Sequence, residues 1–319
     1  MAPQSSKVFI DGQAGTTGLQ IAQRLLNRDD IQVKQIDPAE RKDPQARARQ
    51  FQQCDVAILC LPDAAAIEAV ALAEGNCRII DASTAHRVDD GWCYGLPELD
   101  ATQRARIAEA EWVSNPGCYP QGFILMIRPL IDAGLLSSAQ PLTMHAISGY
   151  SGGGRSLIEA REAFTSAQVQ LRNTEPYGLT LEHKHLPEMQ RYSGSNITPL
   201  FTPIVGHYYQ GMLVQVPLFT RNLKNGSTIE DLHRVLADRY AGEPFISVLD
   251  PSAATVLEQG FLNPTECNDT NRVDIMLFGN AERLLLVARY DNLGKGAAGA
   301  AVQNLNLMIG AHETTGLSQ

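Results

Sequence analysis

No apolar run in this 319-residue chain approaches the roughly 20 residues that cross a bilayer. Met1 to Ser6 are polar and carry no hydrophobic signal region, so a cytoplasmic protein without membrane contact is expected. Basic charge is in deficit, with 26 Lys and Arg against 35 Asp and Glu, for a formal net charge of −9. That balance argues against nucleic-acid and membrane-surface roles, and it means that an anionic substrate needs local cations. Six cysteines, at 54, 60, 77, 93, 118 and 267, show neither Cys-x-x-Cys nor mixed His/Cys spacing. No metal site and no disulfide framework are expected, and a reducing compartment is. Repeats, low-complexity tracts and an obvious linker are also absent. The length leaves room for two cores, and without a linker the two domains must be interleaved.

The first organised stretch is an apolar strand, Lys7 to Ile10, running into Asp11 and then Gly12, Gly15, Thr16, Thr17 and Gly18 before a helical pattern through Leu26. These glycines are spaced G-x-x-G-x-x-G, close to the dinucleotide fingerprint. Missing side chains let backbone amides and a helix start approach a pyrophosphate, so this stretch is read as a cofactor loop, with a tight βα turn as the alternative. A second strand, Ile31 to Ile36, ends at Asp37, an acid placed to accept the ribose hydroxyls of NAD. Arg41 and Lys42 follow, and they suit the 2′-phosphate of NADP or serve as surface charges. The residues themselves leave the two nucleotides open.

Val56 to Leu61 is continuously apolar, as a parallel strand covered on both faces must be. A helix over Ala64 to Glu74, a strand at Arg78 to Ile80 and a further strand before Cys118 complete an open doubly wound sheet, with ligands expected at its carboxyl ends. Ser83, Arg87 and Cys118 all follow such ends, so one shared site is expected. Cys118 lies in Asn115-Pro116-Gly117-Cys118-Tyr119-Pro120, at the mouth of a helix whose dipole favours the nucleophilic thiolate. The competing account is a small buried hydrophobe at a turn.

Beyond Cys118 the strands lengthen and alternate, at Ile197 to Ile204, Met212 to Leu218, Arg272 to Gly279 and Arg283 to Tyr290, with an amphipathic helix near Thr228 to Tyr240. A mixed α+β domain that lines the substrate pocket is expected. A second glycine-rich turn offers Ser148, Gly149 and Arg155 to substrate or phosphate. The segment Glu182 to Glu188 holds two imidazoles and an ammonium, and within it His185 is the candidate general acid/base. Two histidines without a third nearby ligand are poor evidence for zinc. The final helix has apolar residues at 302, 305 and 309, a face that returns to the first domain, with Asn292 and Gly296 at its mouth as candidate cofactor contacts.

Taken together, Gly12 to Gly18, Asp81 to Arg87, Gly95 to Leu99, Asn115 to Pro120, Ser148 to Arg155, His183 to Glu188, Gln210 to Met212 and Lys295 to Gly299 resemble the N-acetyl-gamma-glutamyl-phosphate reductases of arginine biosynthesis, in their shorter form. Gln121 stands where many members carry threonine, and Gly153-Gly154 where Gly-Ala or Ala-Gly is commoner. The resemblance implies an α/β fold in which a Rossmann-type NADP-binding domain (1–117 with 295–319) is interleaved with an α+β substrate and oligomerisation domain (118–294). It also implies NADP as cofactor, an acyl phosphate as substrate, no metal, and a homo-oligomer, dimer or tetramer. In that chemistry Cys118 forms a thioester, His185 moves the proton, and Ser83 with Arg87 holds the departing phosphate. Reduction of an aspartyl or aminoadipyl phosphate, and a catalytically silent NADP-binding sensor, are the alternatives.

Overall fold

A computed structural model describes residues 5–250 and 256–319; Met1 to Gln4 of the polar start lie outside the described residues. The chain forms two compact units, Met1–Gly117 with Ala297–Ser318, and Cys118–Gly296 with Gln319.

The first unit opens with β1 (Ser6–Asp11), α1 (Thr16–Leu25), β2 (Ile31–Lys34), α2 (Pro44–Gln53), β3 (Val56–Leu59), α3 (Asp63–Ala73), β4 (Arg78–Asp81), β5 (Cys93–Tyr94), α4 (Gln103–Glu109) and β6 (Trp112–Ser114). Among the described residues its strands pair in parallel in the order β2-β1-β3-β4-β6-β5. Register sets Ile10, Ile58, Ile80 and Val113 in one row across the sheet, all within one buried cluster. Phe9, Ala57, Leu59 and Ile79 point the other way, into a second cluster with Phe51 and Trp92. Burial on both faces is why these strands read as unbroken apolar runs. The strand order reverses direction between β1 and β3, the switch point where ligands of such sheets bind. β2 ends at Lys34, two residues before the expected end at Ile36.

The second unit contains α5 (Cys118–Asp132), β7 (Thr143–Gly149), α6 (Gly154–Glu162), α7 (Ser166–Leu171), β8 (Thr174–Pro176), α8 (Leu186–Ser193), β9 (Leu200–Gly206), β10 (Met212–Phe219), α9 (Ile229–Arg239), β11 (Ile246–Val248), β12 (Val273–Gly279) and β13 (Arg283–Tyr290). Its strands order as β11-β12-β13-β10-β7-β9-β8 in a mixed sheet. A reciprocal capping box between Thr228 and Asp231 starts α9. Helix α5 is buried along most of its length and packs against β10, β13, α8 and α9. The return to the first unit comes at Ala297 rather than Lys295: Lys295 is wholly buried in the second unit, where its carbonyl accepts from Gln121 Nε2 at 2.8 Å. A π-turn over Gly294–Ala298 then leads into α10 (Gly299–Met308), whose Val302 and Leu305 join the first unit's core.

Candidate active site

In the first unit two glycines of the loop leave no room for a side chain. A Cβ at Gly12, whose φ is +85°, would lie 2.4 Å from the Cys60 carbonyl oxygen, and one at Gly18 would lie 2.6 Å from the Gly12 carbonyl oxygen. No side chain caps α1 at Gly15, so nothing of that kind competes for the first-turn amides of Thr16, Thr17 and Gly18. The cradle and the uncapped helix fit a nucleotide pyrophosphate. Gly12→Ala combines the steric clash with a left-handed backbone and is expected to cost on the order of 1–3 kcal/mol in strain alone. Thermal melting with and without nucleotide checks this, and both the melting temperature and its rise on adding nucleotide should fall.

The Asp37 carboxylate accepts from Ala39 N at 2.8 Å, closing its own turn, while Arg41 and Lys42 are exposed. Arg47, which sequence reading passed over, reaches back to the end of β1 and grips Asp11 Oδ2 through Nε at 3.0 Å and Nη2 at 2.8 Å. Burial still outweighs that guanidinium and raises the Asp11 carboxyl above its ordinary range.

At the ends of β4 and β6 the hub is Asp81, fully buried and not singled out from the sequence. Its carboxylate accepts from Ser83 N at 2.9 Å, Ser83 Oγ at 2.6 Å and His86 Nδ1 at 2.7 Å. Arg87 is buried, donating through Nε to the Asn115 carbonyl and through Nη2 to the Ala82 carbonyl, both at 3.0 Å. Asn115 is held further by Asn304, whose amide nitrogen donates to Asn115 Oδ1 at 3.1 Å and to the Gly95 carbonyl at 2.9 Å. Ser83 is thus held by Asp81, and Arg87 ties the segment after β4 to the segment after β6 through the Ala82 and Asn115 carbonyls.

In the second unit Cys118 is the first residue of α5 and is partly exposed, unlike Cys54, Cys77 and Cys267. Tyr290 Oη donates to the Cys118 carbonyl at 2.5 Å and accepts from Gly122 N at 3.1 Å, pinning the first turn. Gly296 lies beside the cysteine, where an added Cβ would come within 3.2 Å of Cys118 Cβ. Burial first, and then the negative charge of Cys118, push the Tyr290 hydroxyl well above its ordinary range. Tyr119 is likewise raised well above its ordinary range, by burial, by Tyr177 and by Cys118. Substituting Gly122 with alanine would set a Cβ 2.8 Å from Tyr290 Oη and 3.0 Å from Val214 Cβ. The expected cost is about 1–3 kcal/mol, read as a lower melting temperature together with slower alkylation of Cys118.

His185 is buried at the N-cap of α8. Its ring lies 5.9 Å from that of Tyr119, the residue next to the cysteine, and 4.7 Å from that of His183. His183 Nδ1 accepts from the His185 backbone N–H at 3.2 Å, fixing the entry to the helix. Burial, assisted by the Lys184 charge, pushes the His183 imidazole down to about 4, so it is neutral at neutral pH.

The second glycine-rich turn divides. Ser148 is buried, with Oγ donating to the Gly149 carbonyl at 3.0 Å, and Gly149 is packed so tightly on Tyr209 and Gln210 that a Cβ would lie 2.5 Å from the Tyr209 carbonyl oxygen. Arg155 instead stands on the exposed face of α6, paired with Glu159 at 2.7 Å. The Asn292 amide braces this region, donating to Ser151 Oγ at 2.9 Å and accepting from Gly211 N at 2.7 Å. Among the described residues no group of three or more His, Cys, Asp or Glu side chains is arranged to hold a metal ion, and no helix is long and apolar enough to cross a membrane.

Residues 32–109 match the family described as semialdehyde dehydrogenase, NAD binding domain, and residues 118–292 the semialdehyde dehydrogenase, dimerisation domain. The chain is 51% identical over 318 residues to N-acetyl-gamma-glutamyl-phosphate reductase 2 of Nostoc sp., covering 98% of this chain and 99% of that one. It is 49% identical over 308 residues to the N-acetyl-gamma-glutamyl-phosphate reductase of Chelativorans sp., covering 96% and 98%. Among solved structures, aspartate semialdehyde dehydrogenase II of Vibrio cholerae superposes with a TM-score of 0.72 at 16% identity, covering 96% of this chain and 98% of that one. The Candida albicans aspartate semialdehyde dehydrogenase, solved with NADP, superposes with a TM-score of 0.64 at 14% identity, covering 96% and 99%. At these identities the likeness to the solved structures is one of fold.

Proposed function

The chain belongs to the N-acetyl-gamma-glutamyl-phosphate reductase family, and on that premise we propose that it reduces N-acetyl-L-glutamyl 5-phosphate to N-acetyl-L-glutamate 5-semialdehyde with NADPH, through a Cys118 thioester, as a cytoplasmic homo-oligomer in arginine biosynthesis. The observation that carries the reading is the setting of Cys118. It opens a buried helix, its carbonyl is held by Tyr290, and Gly296 leaves its Cβ uncrowded.

Cys118 thiolate attacks the acyl carbon, the C–O bond to phosphate breaks, and inorganic phosphate leaves with the electron pair. Dividing one difficult reduction into acyl transfer and reduction lowers both barriers. Gly12, Gly15, Thr16, Thr17 and Gly18 would hold the nucleotide's pyrophosphate, with Arg41 nearest in sequence to its 2′-phosphate. When bound, NADPH supplies the hydride that brings the thioester to the aldehyde level. His185 gives its proton to the oxyanion that develops on the former carbonyl oxygen and takes one back as the thiohemiacetal collapses, regenerating the thiolate. Amides of the first turn of α5 are the donors for that oxyanion. Arg87 and Ser83 are assigned to the leaving phosphate, with the bonds from Arg87 Nε and Nη2 to backbone carbonyls orienting the guanidinium fork.

The reverse reaction tests the whole. N-acetylglutamate semialdehyde and NADP⁺ should give NADPH only when inorganic phosphate is present, and NADPH formation that ignores phosphate would refute an acyl-phosphate substrate.

A further inference from the structure

The α-carbon of an N-acetylglutamyl substrate carries a carboxylate and an uncharged acetamide, and the latter separates this substrate from a free amino acid. Beside Cys118 the second unit builds a wall whose chemistry matches the acetamide. Gly178 (φ +62°) and Leu181 (φ +61°) reverse the chain after β8, with Leu181 N donating to the Gly178 carbonyl at 3.0 Å. The turn brings Tyr177 and His183 together as a ring pair, 6.0 Å apart at 63°. A leucine in the left-handed region is uncommon and costs about 1 kcal/mol or more, so the shape of this turn is held by its surroundings.

Tyr177 Oη donates to Tyr119 Oη at 3.1 Å. Tyr119 is locked by Phe201 (5.0 Å between rings), by His185 and by a hydrogen bond with the Ser148 hydroxyl, and it is only 4% exposed. Tyr177 is 36% exposed, so of the two rings it is the one that reaches the surface. Of the groups set against it, Tyr119 is a neutral phenol and His183, held at about 4, a neutral imidazole at neutral pH, while Lys184 and Glu182 stand in solvent. Neither Tyr119 nor His183 offers an ammonium an opposite charge. Burial and the Cys118 charge push the Tyr177 hydroxyl up to about 12, which keeps it a hydrogen donor throughout the working range of pH.

We propose that Tyr177 is a specificity-determining residue whose hydroxyl proton, given to Tyr119 Oη in this structure, turns to the carbonyl oxygen of the substrate's N-acyl amide. This assignment rests on the reaction inferred above. It predicts preference for N-acylated over free amino-acid substrates, a choice made away from the reacting carbon. Tyr177→Phe removes the oxygen and leaves the ring stack with His183 intact. The experiment measures steady-state kinetics with N-acetylglutamate semialdehyde, calorimetric binding of the unreactive analogues N-acetyl-L-glutamate and L-glutamate, and the iodoacetamide alkylation rate of Cys118. Expected for Tyr177→Phe are a KM and an N-acetyl-L-glutamate Kd raised about 5- to 10-fold, the loss of one neutral hydrogen bond, with L-glutamate binding, kcat and alkylation unchanged. Unchanged KM and Kd would overturn the assignment, and so would a fall in kcat alone, which would move the hydroxyl pair into the chemistry. Wild-type protein that fails to turn over the semialdehyde would sink the reaction itself, a result separate from either.

Discussion

Cys118→Ser is expected to abolish phosphate-dependent reduction, lowering kcat by about 10⁴-fold or more, the scale on which removal of a covalent nucleophile acts. The fold should not register the change. The bond from Tyr290 Oη goes to the backbone carbonyl of residue 118, the Gly122 contact involves only Tyr290, and serine fills slightly less space beside Gly296. A melting temperature within about 2 °C of wild type is therefore expected. Thiol labelling gives a second reading. Cys54, Cys77 and Cys267 are buried, burial pushes Cys267 up to about 11 and Cys60 up to about 12, and Cys93 is raised for the same reason. Cys77 is lowered by a hydrogen bond from Cys54, but its burial shields it. The fast phase of iodoacetamide alkylation should belong to Cys118 and vanish in the serine variant. Substantial turnover in Cys118→Ser would refute the thioester, since a serine hydroxyl in this setting has neither the acidity nor the leaving ability of the thiol.

What the sequence reveals about this molecule follows from how local each cause is. The glycines of the first turn were readable because a missing side chain is a local fact, and Gly12 and Gly18 are indeed packed where no Cβ fits. The strands of the first unit were readable because burial on both faces leaves an unbroken apolar string. Arg155 shows the limit: a guanidinium after a glycine-rich turn suggests an anion site, but the helical spacing to Glu159 turns it into a surface ion pair. Asp81, Tyr290 and Asn304 escaped notice for other reasons. Asp81 binds Ser83 and His86 close by, and only burial marks it as a hub, while Asn304 and Tyr290 act on residues far away in the chain, across 189 positions to Asn115 and 172 to Cys118, and no periodicity announces such pairs. The polar face of α10 makes the same point. Gln303, Asn304 and Asn306 are fully buried because each amide finds a partner in a distant segment, Asn306 by accepting from Arg28 Nη1.

His185→Ala is the second large effect expected, a fall in kcat of about 10²- to 10⁴-fold with KM little changed, as when a positioned acid/base is removed. Two imidazoles share this segment, and the structure distinguishes them. His183 spends Nδ1 on the His185 backbone N–H, and burial with Lys184 holds it at about 4. Lowered that far, it is already neutral by pH 5 and changes charge only in more acidic solution, so it can neither take up nor return a proton as pH moves from 5 to 8. A limb of the kcat/KM profile in that interval is therefore not that of His183 and should persist in His183→Phe, whereas a limb that reports the proposed acid/base should disappear in His185→Ala. His183→Phe should loosen the entry to α8, because the N–H of residue 185 loses its acceptor, and should therefore lower the melting temperature more than it changes the shape of the profile. Activity of His185→Ala within tenfold of wild type, with the limb in place, would transfer the proton to another group. The reverse pattern, a limb lost only with His183, would mean that burial does not hold that ring neutral and that the roles of the two histidines are exchanged.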